Sequence, residues 1–301
     1  MLAASCDLRV AASAIDGTNW ASAIQIPDEP APLPPGMTQT MVVTGMPPDT
    51  TIYFALRTCS QMGLWSGVSN SPAAILPPEA GIAFADTALE GVIREKVHKP
   101  SGELLASDLA GIEEIDASNR NIHDLGGLQY CVSLARLGIH GNAITSLEPL
   151  TGLTRLTDLD ASANEISDLQ PLAGLTTLVN LSLGENDISD VGPLHAMQGL
   201  NILYLNGNRI ADITPLAGCT RVNHLFLGDN RIYDLNPLTG LVHLHSLNLA
   251  SNLIQDLGPL VANTGLGTGT TIWVAGNPLT DAARNEQIPA LRARGIIVED
   301  R

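Results

Sequence analysis

Two sets of side chains have the types and spacing that could bind a metal ion. The histidines are His224, His243 and His245. Histidine pairs are common zinc ligands, but the repeat places no carboxylate or cysteine ligand beside these histidines. The aspartates recur every 22 residues and could hold calcium between successive strands about 4.8 Å apart; they are Asp168, Asp190, Asp212, Asp234 and Asp256.

The simpler interpretation of both sets is structural. An aspartate before a tight turn usually accepts a hydrogen bond from the backbone amide two residues further on. We therefore expect turn-capping aspartates and solvated histidines, with calcium as the alternative for the aspartates. The sequence predicts no metal site and no cofactor.

No arrangement of residues indicates catalysis. The acidic pair Asp158 and Asp160 is spaced as two outward positions of one strand, not as an acid and a base flanking a scissile bond. No Ser-His-Asp spacing, phosphate-binding loop or cysteine nucleophile context is present. We therefore predict that the protein is not an enzyme.

A regular repeat must position these side chains. The repeat carries an asparagine at a fixed point, at Asn142, Asn164, Asn186, Asn208, Asn230 and Asn252, and again at Asn277. Alternating leucines such as Leu181 and Leu183 precede it and indicate a short strand. This is the frame of a leucine-rich repeat. It predicts an α/β solenoid, a horseshoe with a parallel β-sheet on the concave side and short helices on the convex side.

The fixed polar residues have a structural explanation. Each asparagine follows a strand, where its amide can donate to and accept from the backbone of the turn, so stacked copies would form a ladder of hydrogen bonds. A proline recurs in the later half of each repeat, where it would start a brief helix. These prolines are Pro149, Pro171, Pro193, Pro215, Pro237 and Pro259.

The frame also predicts which residues lie on the concave surface. One outward column is Asp116, Gly138, Asp160, Ser182, Tyr204, Phe226, Asn248 and Trp273. Its neighbour is Glu114, Arg136, Asp158, Asn180, Ile202, His224, Ser246 and Thr271. Aromatic residues make up only 3% of the chain, so adjacent outward rings favour a contact site. The residues predicted to bind a partner are Tyr204, Phe226, Ile202, His224, Trp273, Arg136, Asp158 and Asp160. The alternative is that the rings only stack on each other.

Both ends of the repeat array resemble a known family. The segment 84–94, continued at 115–122, resembles the helical cap and first repeat of bacterial internalins, with Arg120 in the asparagine position. Residues 276–279 and 288–295 resemble the closing cap of internalin-like proteins. Within the first cap, Thr87 and Glu90 predict a capping box, with an amphipathic helix ending before Pro100. We assign 80–301 to the repeat domain, with caps at 80–111 and 278–301 and repeats at 112–277.

Residues 1–79 predict a second domain. Short strands at 6–11, 38–44 and 52–59 are separated by turn signals, and the order resembles the later strands of a bacterial fibronectin type III domain. This implies a partial all-β sandwich joined by a proline-containing linker at 70–81. The first two strands of that family have no counterpart, so we expect the natural chain to extend upstream of Met1, with any secretion signal there. Cys6 and Cys59 would pair only if their strands adjoin.

Net charge narrows the partners. The formal charge of −16 predicts that nucleic acid is not a ligand, and no stretch is long enough to insert into a membrane. The resemblance implies a monomeric extracellular or cell-surface protein that binds a protein or a surface glycan through the concave face. The alternatives are a structural spacer within a larger surface protein and an intracellular scaffold.

Overall fold

The computed structural model describes residues 3–27, 29, 31, 41, 43, 46, 50–76 and 79–301. The chain divides into two compact units, Met1–Ala80 and Gly81–Arg301. Each unit is described by itself.

The N-terminal unit contains a four-stranded antiparallel sheet in the order β2-β1-β3-β4. Its strands are β1 (Ala3–Ala11), β2 (Ile24–Gln25), β3 (Thr51–Ser60) and β4 (Ala73–Ile75). The first and third contain the strands expected at 6–11 and 52–59. Most of the strand expected at 38–44 lies outside the described residues, and the sandwich stays a prediction.

Trp20 lies beside two arginines in this unit. The Arg9 guanidinium is 5.0 Å from the ring centroid and the Arg57 guanidinium is 5.4 Å from it. Arg9 also pairs with Asp7 at 3.0 Å. Trp20 is also buried in a small core with Ile15, Ala23 and Ala55. Its ring therefore makes cation–π contacts with the two arginines and contributes to apolar packing.

Strand register keeps two cysteines apart. The strands of Cys6 and Cys59 do adjoin, but Cys6 lies opposite Thr58 and Cys59 lies opposite Ser5. Because neighbouring residues of a strand point to opposite faces, the two thiols project from opposite sides of the sheet. Neither cysteine is in a disulfide, so the pairing that the sequence left open is not made.

The repeat unit begins with helix α1 (Thr87–Val97), which buries Leu89, Val92 and Ile93. The capping box expected at Thr87 is wrong. The N-cap is Asp86, whose Oδ1 accepts from the amides of Ala88 at 2.9 Å and Leu89 at 3.1 Å. A carboxylate one residue earlier reaches these free amides, and Thr87 is the first helical residue. The helix ends at Val97, and the C-cap residue His98 adopts a left-handed backbone conformation.

Asp86 also joins the cap to the first repeat, because its Oδ2 accepts from the His123 amide at 2.8 Å. Burial alone raises the pKa of Asp86, but the backbone donors outweigh burial and lower it. A second helix, α2 (Ala106–Leu109), completes the cap.

Nine parallel strands in sequence order form the concave sheet. They are β5 (Glu114–Asp116), β6 (Arg136–Gly138), β7 (Asp158–Asp160), β8 (Asn180–Ser182), β9 (Ile202–Tyr204), β10 (His224–Phe226), β11 (Ser246–Asn248), β12 (Thr271–Trp273) and β13 (Ile297–Glu299). The last strand comes from the closing cap and covers the edge that β12 would otherwise expose.

Short helices on the other side of each repeat confirm the expectation from the prolines. Most are 3₁₀ helices with a proline in the first turn, and the last is α-helical. Their ranges are Leu128–Tyr130, Glu148–Leu150, Gln170–Leu172, Gly192–Ala196, Thr214–Gly218, Asn236–Leu238 and α3 (Gly258–Ala262), and the first lacks the proline. Between sheet and helices, one continuous hydrophobic core runs from Leu89 to Val298.

The repeated asparagines hold the turns through backbone groups of two successive repeats. Asn186 Oδ1 accepts from the Ile166 amide at 2.9 Å, and its Nδ2 donates to the carbonyls of Ala161 at 3.0 Å and Leu183 at 3.1 Å. Equivalent bonds recur from Asn142 to Asn277. Successive repeats are thus linked by hydrogen bonds between each asparagine side chain and the backbone of the preceding repeat.

The residue before each of these asparagines has a left-handed backbone. Gly141 has φ 67°, but Ala163 has φ 52° and Glu185 has φ 56°. Every repeat therefore requires a left-handed residue at this position. For any residue with a Cβ, this conformation is less stable than the right-handed one by about 1 to 2 kcal/mol.

At the other end, Ala283–Gln287 forms a π-type turn that leads into α4 (Ile288–Ala293), and Gly295 follows with φ 80°, as expected for a residue past the helix end. Arg294 donates to the carbonyls of Val261, Asn263 and Leu266. The last repeat is three residues longer than the others, since Asn277 follows Asn252 after 25 residues rather than 22. This arginine therefore fixes the longer repeat to the cap.

Candidate functional site

The outward residues of the concave sheet align in two columns because the strands pair without a shift from β5 to β13. Arg136 pairs with Asp158, Ile202 with His224, and Tyr204 with Phe226. The structure therefore places all eight predicted partner-binding residues on one surface, which we call the concave face.

An aromatic pair lies at the centre of the concave face. The rings of Tyr204 and Phe226 are stacked, with centroids 4.4 Å apart and planes inclined by 6°. Tyr204 is 37% exposed, and neither ring belongs to the buried core. Ile202 lies beside the pair on strand β9.

The other predicted rings are separate from this pair. The ring of His224 lies beside that of His245, with centroids 6.4 Å apart and an inclination of 38°. Trp273 is one strand beyond Asn248, which itself follows Phe226 in the column. The aromatic surface is thus a stacked pair with two outlying rings.

The other half of the concave face is charged. Arg136 donates to Glu114 at 2.7 Å. This hydrogen bond lowers the pKa of Glu114 and raises that of Arg136. The amide of Ser118 lowers the pKa of Asp116 by donating to its Oδ1 at 3.1 Å.

Asp158 and Asp160 differ in their hydrogen bonding. Asp158 accepts from Thr157 Oγ1 at 2.7 Å through Oδ2, and from Asn180 Nδ2 at 2.5 Å through Oδ1. Asp160 accepts from the amide and hydroxyl of Ser162, at 3.1 and 2.6 Å, and both bonds fall on Oδ1. Neither of these bonds uses the second oxygen of Asp160, and the residue is exposed.

A groove of about 440 Å³ runs along this charged half and ends at Tyr204. Its outward lining includes Gly138, which has no side chain, and Ser182, whose side chain is short. Phe226 does not line it. The charged and aromatic halves therefore meet at Tyr204.

The aspartates considered as calcium ligands cap turns, as the sequence favoured. Asp168 Oδ1 accepts from the Gln170 amide at 2.8 Å and Asp190 Oδ1 accepts from the Gly192 amide at 2.7 Å. Asp212, Asp234 and Asp256 make the same bond two residues on. Across the described part of the chain, no three His, Cys, Asp or Glu side chains are grouped as metal ligands.

The described helices include none that is long and apolar enough to span a membrane.

Comparison with known proteins gives the class of this solenoid. A family model for two copies of a leucine-rich repeat matches residues 176–218 and 220–262. No curated protein matches the chain significantly. Among solved structures, an internalin of Listeria monocytogenes, inlF, is 29% identical with a TM-score of 0.66 over 72% of this chain. The chain covers 63% of that relative's length.

A second Listeria monocytogenes structure, internalin C2, is 30% identical with a TM-score of 0.62. It aligns with 72% of this chain, which covers 94% of that protein. A leucine-rich repeat protein of Leptospira interrogans shares the fold at 17% identity and a TM-score of 0.53, over 64% of this chain and 62% of that one.

The fold and these matches define a bacterial leucine-rich repeat protein. Within that class, the chain belongs to the internalin family.

The groove is the feature that sequence reasoning missed. Its signal was present in one outward column, where the small residues Gly138, Asp160 and Ser182 precede the large Tyr204. The sequence also gave no indication that the rings of His224 and His245 would lie side by side.

Proposed function

We propose that this protein is an extracellular or cell-surface module that binds another protein through its concave face, with Tyr204 and Phe226 at the centre of the contact. The observation that carries the proposal is the stacked, partly exposed pair. Its rings fill no part of the core. A rigid aromatic surface beside charged groups is typical of the central residues of protein interfaces.

The fold supports binding in a second way. The concave face is preformed, because strand pairing and the asparagine hydrogen bonds fix the backbone of every repeat. A preformed surface loses little conformational entropy when it binds, so more of the contact energy appears as affinity. Membership of the internalin family supports an extracellular location and a protein ligand.

The test is a binding titration with the full chain against a partner recovered by pull-down from a cell-surface extract. Replacing Tyr204 and Phe226 by alanine together should weaken binding by about 2 kcal/mol or more. The matched control is Tyr233→Ala, because Tyr233 is 66% exposed but lies outside the concave sheet.

Unchanged affinity in the Tyr204→Ala, Phe226→Ala variant would refute the site. A partner that is a glycan rather than a protein would correct the ligand class. If no partner binds the concave face at all, the structural spacer is the better assignment.

A further inference from the structure

The groove on the concave face has an open aromatic wall. Tyr204 lines the groove and Phe226 does not. Because Phe226 covers one face of the Tyr204 ring in a nearly parallel stack, the other face is the one turned toward the groove.

The strand before Tyr204 leaves space beside this ring, and we call the space above Ser182 the open rung. Ser182 lies between Asp160 and Tyr204, one strand from each. Strands are about 4.8 Å apart, so Asp160 and Tyr204 are separated by about twice that distance, with only a short hydroxyl side chain between them. A planar group lying over Ser182 would contact the ring on one side and the carboxylate on the other.

The charge of the groove selects a cation. Four carboxylates and one guanidinium line it, and that guanidinium, on Arg136, is already paired with Glu114. Asp158 and Asp160 lie nearest to the open rung. Asp160 makes its described hydrogen bonds through Oδ1 alone, so Oδ2 is available to a ligand.

We propose that this groove binds an arginine side chain of the protein partner, with the guanidinium stacked on the free face of Tyr204 and in ionic contact with Asp160. The inference rests on the proposed function and specifies the chemistry of the partner. Arginine fits better than lysine because its flat, weakly hydrated guanidinium can stack face to face on the ring while its delocalised positive charge faces the carboxylate on the other side.

The same chemistry occurs elsewhere in this chain. Arg9 lies 5.0 Å from the centroid of the Trp20 ring while it pairs with Asp7. That site shows a guanidinium shared between a ring and a carboxylate.

The experiment is an amide NMR titration of the full chain with three acetylated, amidated tripeptides: Gly-Arg-Gly, Gly-Lys-Gly and Gly-citrulline-Gly. The arginine peptide should shift the Ser182 and Tyr204 amides saturably and bind at least about threefold more tightly than the lysine peptide. The neutral citrulline peptide should not bind. Asp160→Asn and Tyr204→Ala should each weaken the arginine peptide by about fivefold or more.

Glu165→Gln and Tyr233→Ala are the controls, because they remove an exposed charge and an exposed ring outside the groove. Ser182→Tyr is a further variant that fills the open rung while keeping every carboxylate, and it should abolish binding. Circular dichroism melting of each variant verifies that it is folded.

Equal binding of the arginine and citrulline peptides, shifts spread outside the groove, or full affinity in Asp160→Asn would each overturn the inference. Failure of the proposed function has a different signature. If the arginine peptide does not bind but the partner still depends on Tyr204 and Phe226, only the arginine site is wrong. If no partner binds the concave face while the peptide titration succeeds, the proposed function is wrong and the cation site remains.

Discussion

The rings of Tyr204 and Phe226 lie face to face on adjacent strands, with centroids 4.4 Å apart and planes inclined by 6°. Their positions are directly paired in the sheet, so the strand spacing of the solenoid itself sets the distance between the rings. The stack therefore follows from strand register, and one ring remains 37% exposed.

A double-mutant cycle on Tyr204→Ala and Phe226→Ala should give a coupling energy of about 0.5 to 1 kcal/mol in the free energy of unfolding, since stacked rings contribute on that order beyond area burial. Each single change should cost no more than about 1 kcal/mol, because neither ring fills the core. Urea denaturation of the four proteins measures the cycle. Additive losses would show that the stack contributes nothing to stability.

Asn186→Ala should lower the free energy of unfolding by about 1 to 3 kcal/mol, because it leaves the Ile166 amide and the Ala161 and Leu183 carbonyls without their partner. Ser189→Ala, an exposed change three residues away, is the control. Asn142→Ala should cost less than Asn186→Ala, because Asn142 is only half-buried and water can replace part of its bonding. A melting temperature unchanged by Asn186→Ala would contradict the ladder.

Ala163→Gly should stabilise the protein by about 0.5 to 1 kcal/mol, since the left-handed conformation costs alanine more than the added freedom of glycine costs in the unfolded chain. The reverse change one repeat earlier, Gly141→Ala, should destabilise by about 1 to 2 kcal/mol. Its Cβ would also crowd the Asn119 side chain. Thermal melts of the two variants test both predictions. A melting temperature that moves in the same direction in both variants would refute the argument.

Cys131 and Cys219 should resist alkylation in the native protein. Burial raises the pKa of Cys131 to about 12 and that of Cys219 to about 11, so little reactive thiolate exists at pH 8. Both should react once denaturant is added, as peptide mapping by mass spectrometry would show. Rapid native labelling of either residue would contradict its burial.

The same pKa values predict a dependence of stability on pH. Unfolded thiols ionise near pH 8.5, so above that pH the unfolded chain releases protons that the folded chain retains. The contribution to the free energy of unfolding is therefore fully present below about pH 8.5 and is lost as the pH rises toward 11 and 12. Cys131→Ala with Cys219→Ala should reduce this alkaline slope.

The sequence by itself determined the repeat architecture. A solenoid folds by stacking identical units, so the spacing that places Leu181 and Leu183 on a strand and Asn186 after it describes every rung at once. Strand register followed from the same spacing, and with it the assignment of Tyr204, Phe226, Asp158 and Asp160 to the concave face.

Contacts that do not recur in every repeat could not be predicted from the spacing and were decided by the tertiary structure. Two polar residues, Asp86 and Thr87, could each cap the first helix, and the geometry that also lets Asp86 accept from the distant His123 amide decided between them. The separation of Cys6 and Cys59 depended on the register of one antiparallel pair. The groove depended on which face of Tyr204 was covered by Phe226. Spacing along a chain fixes which rung a side chain occupies, whereas packing between rungs decides which of its faces remains open to a ligand.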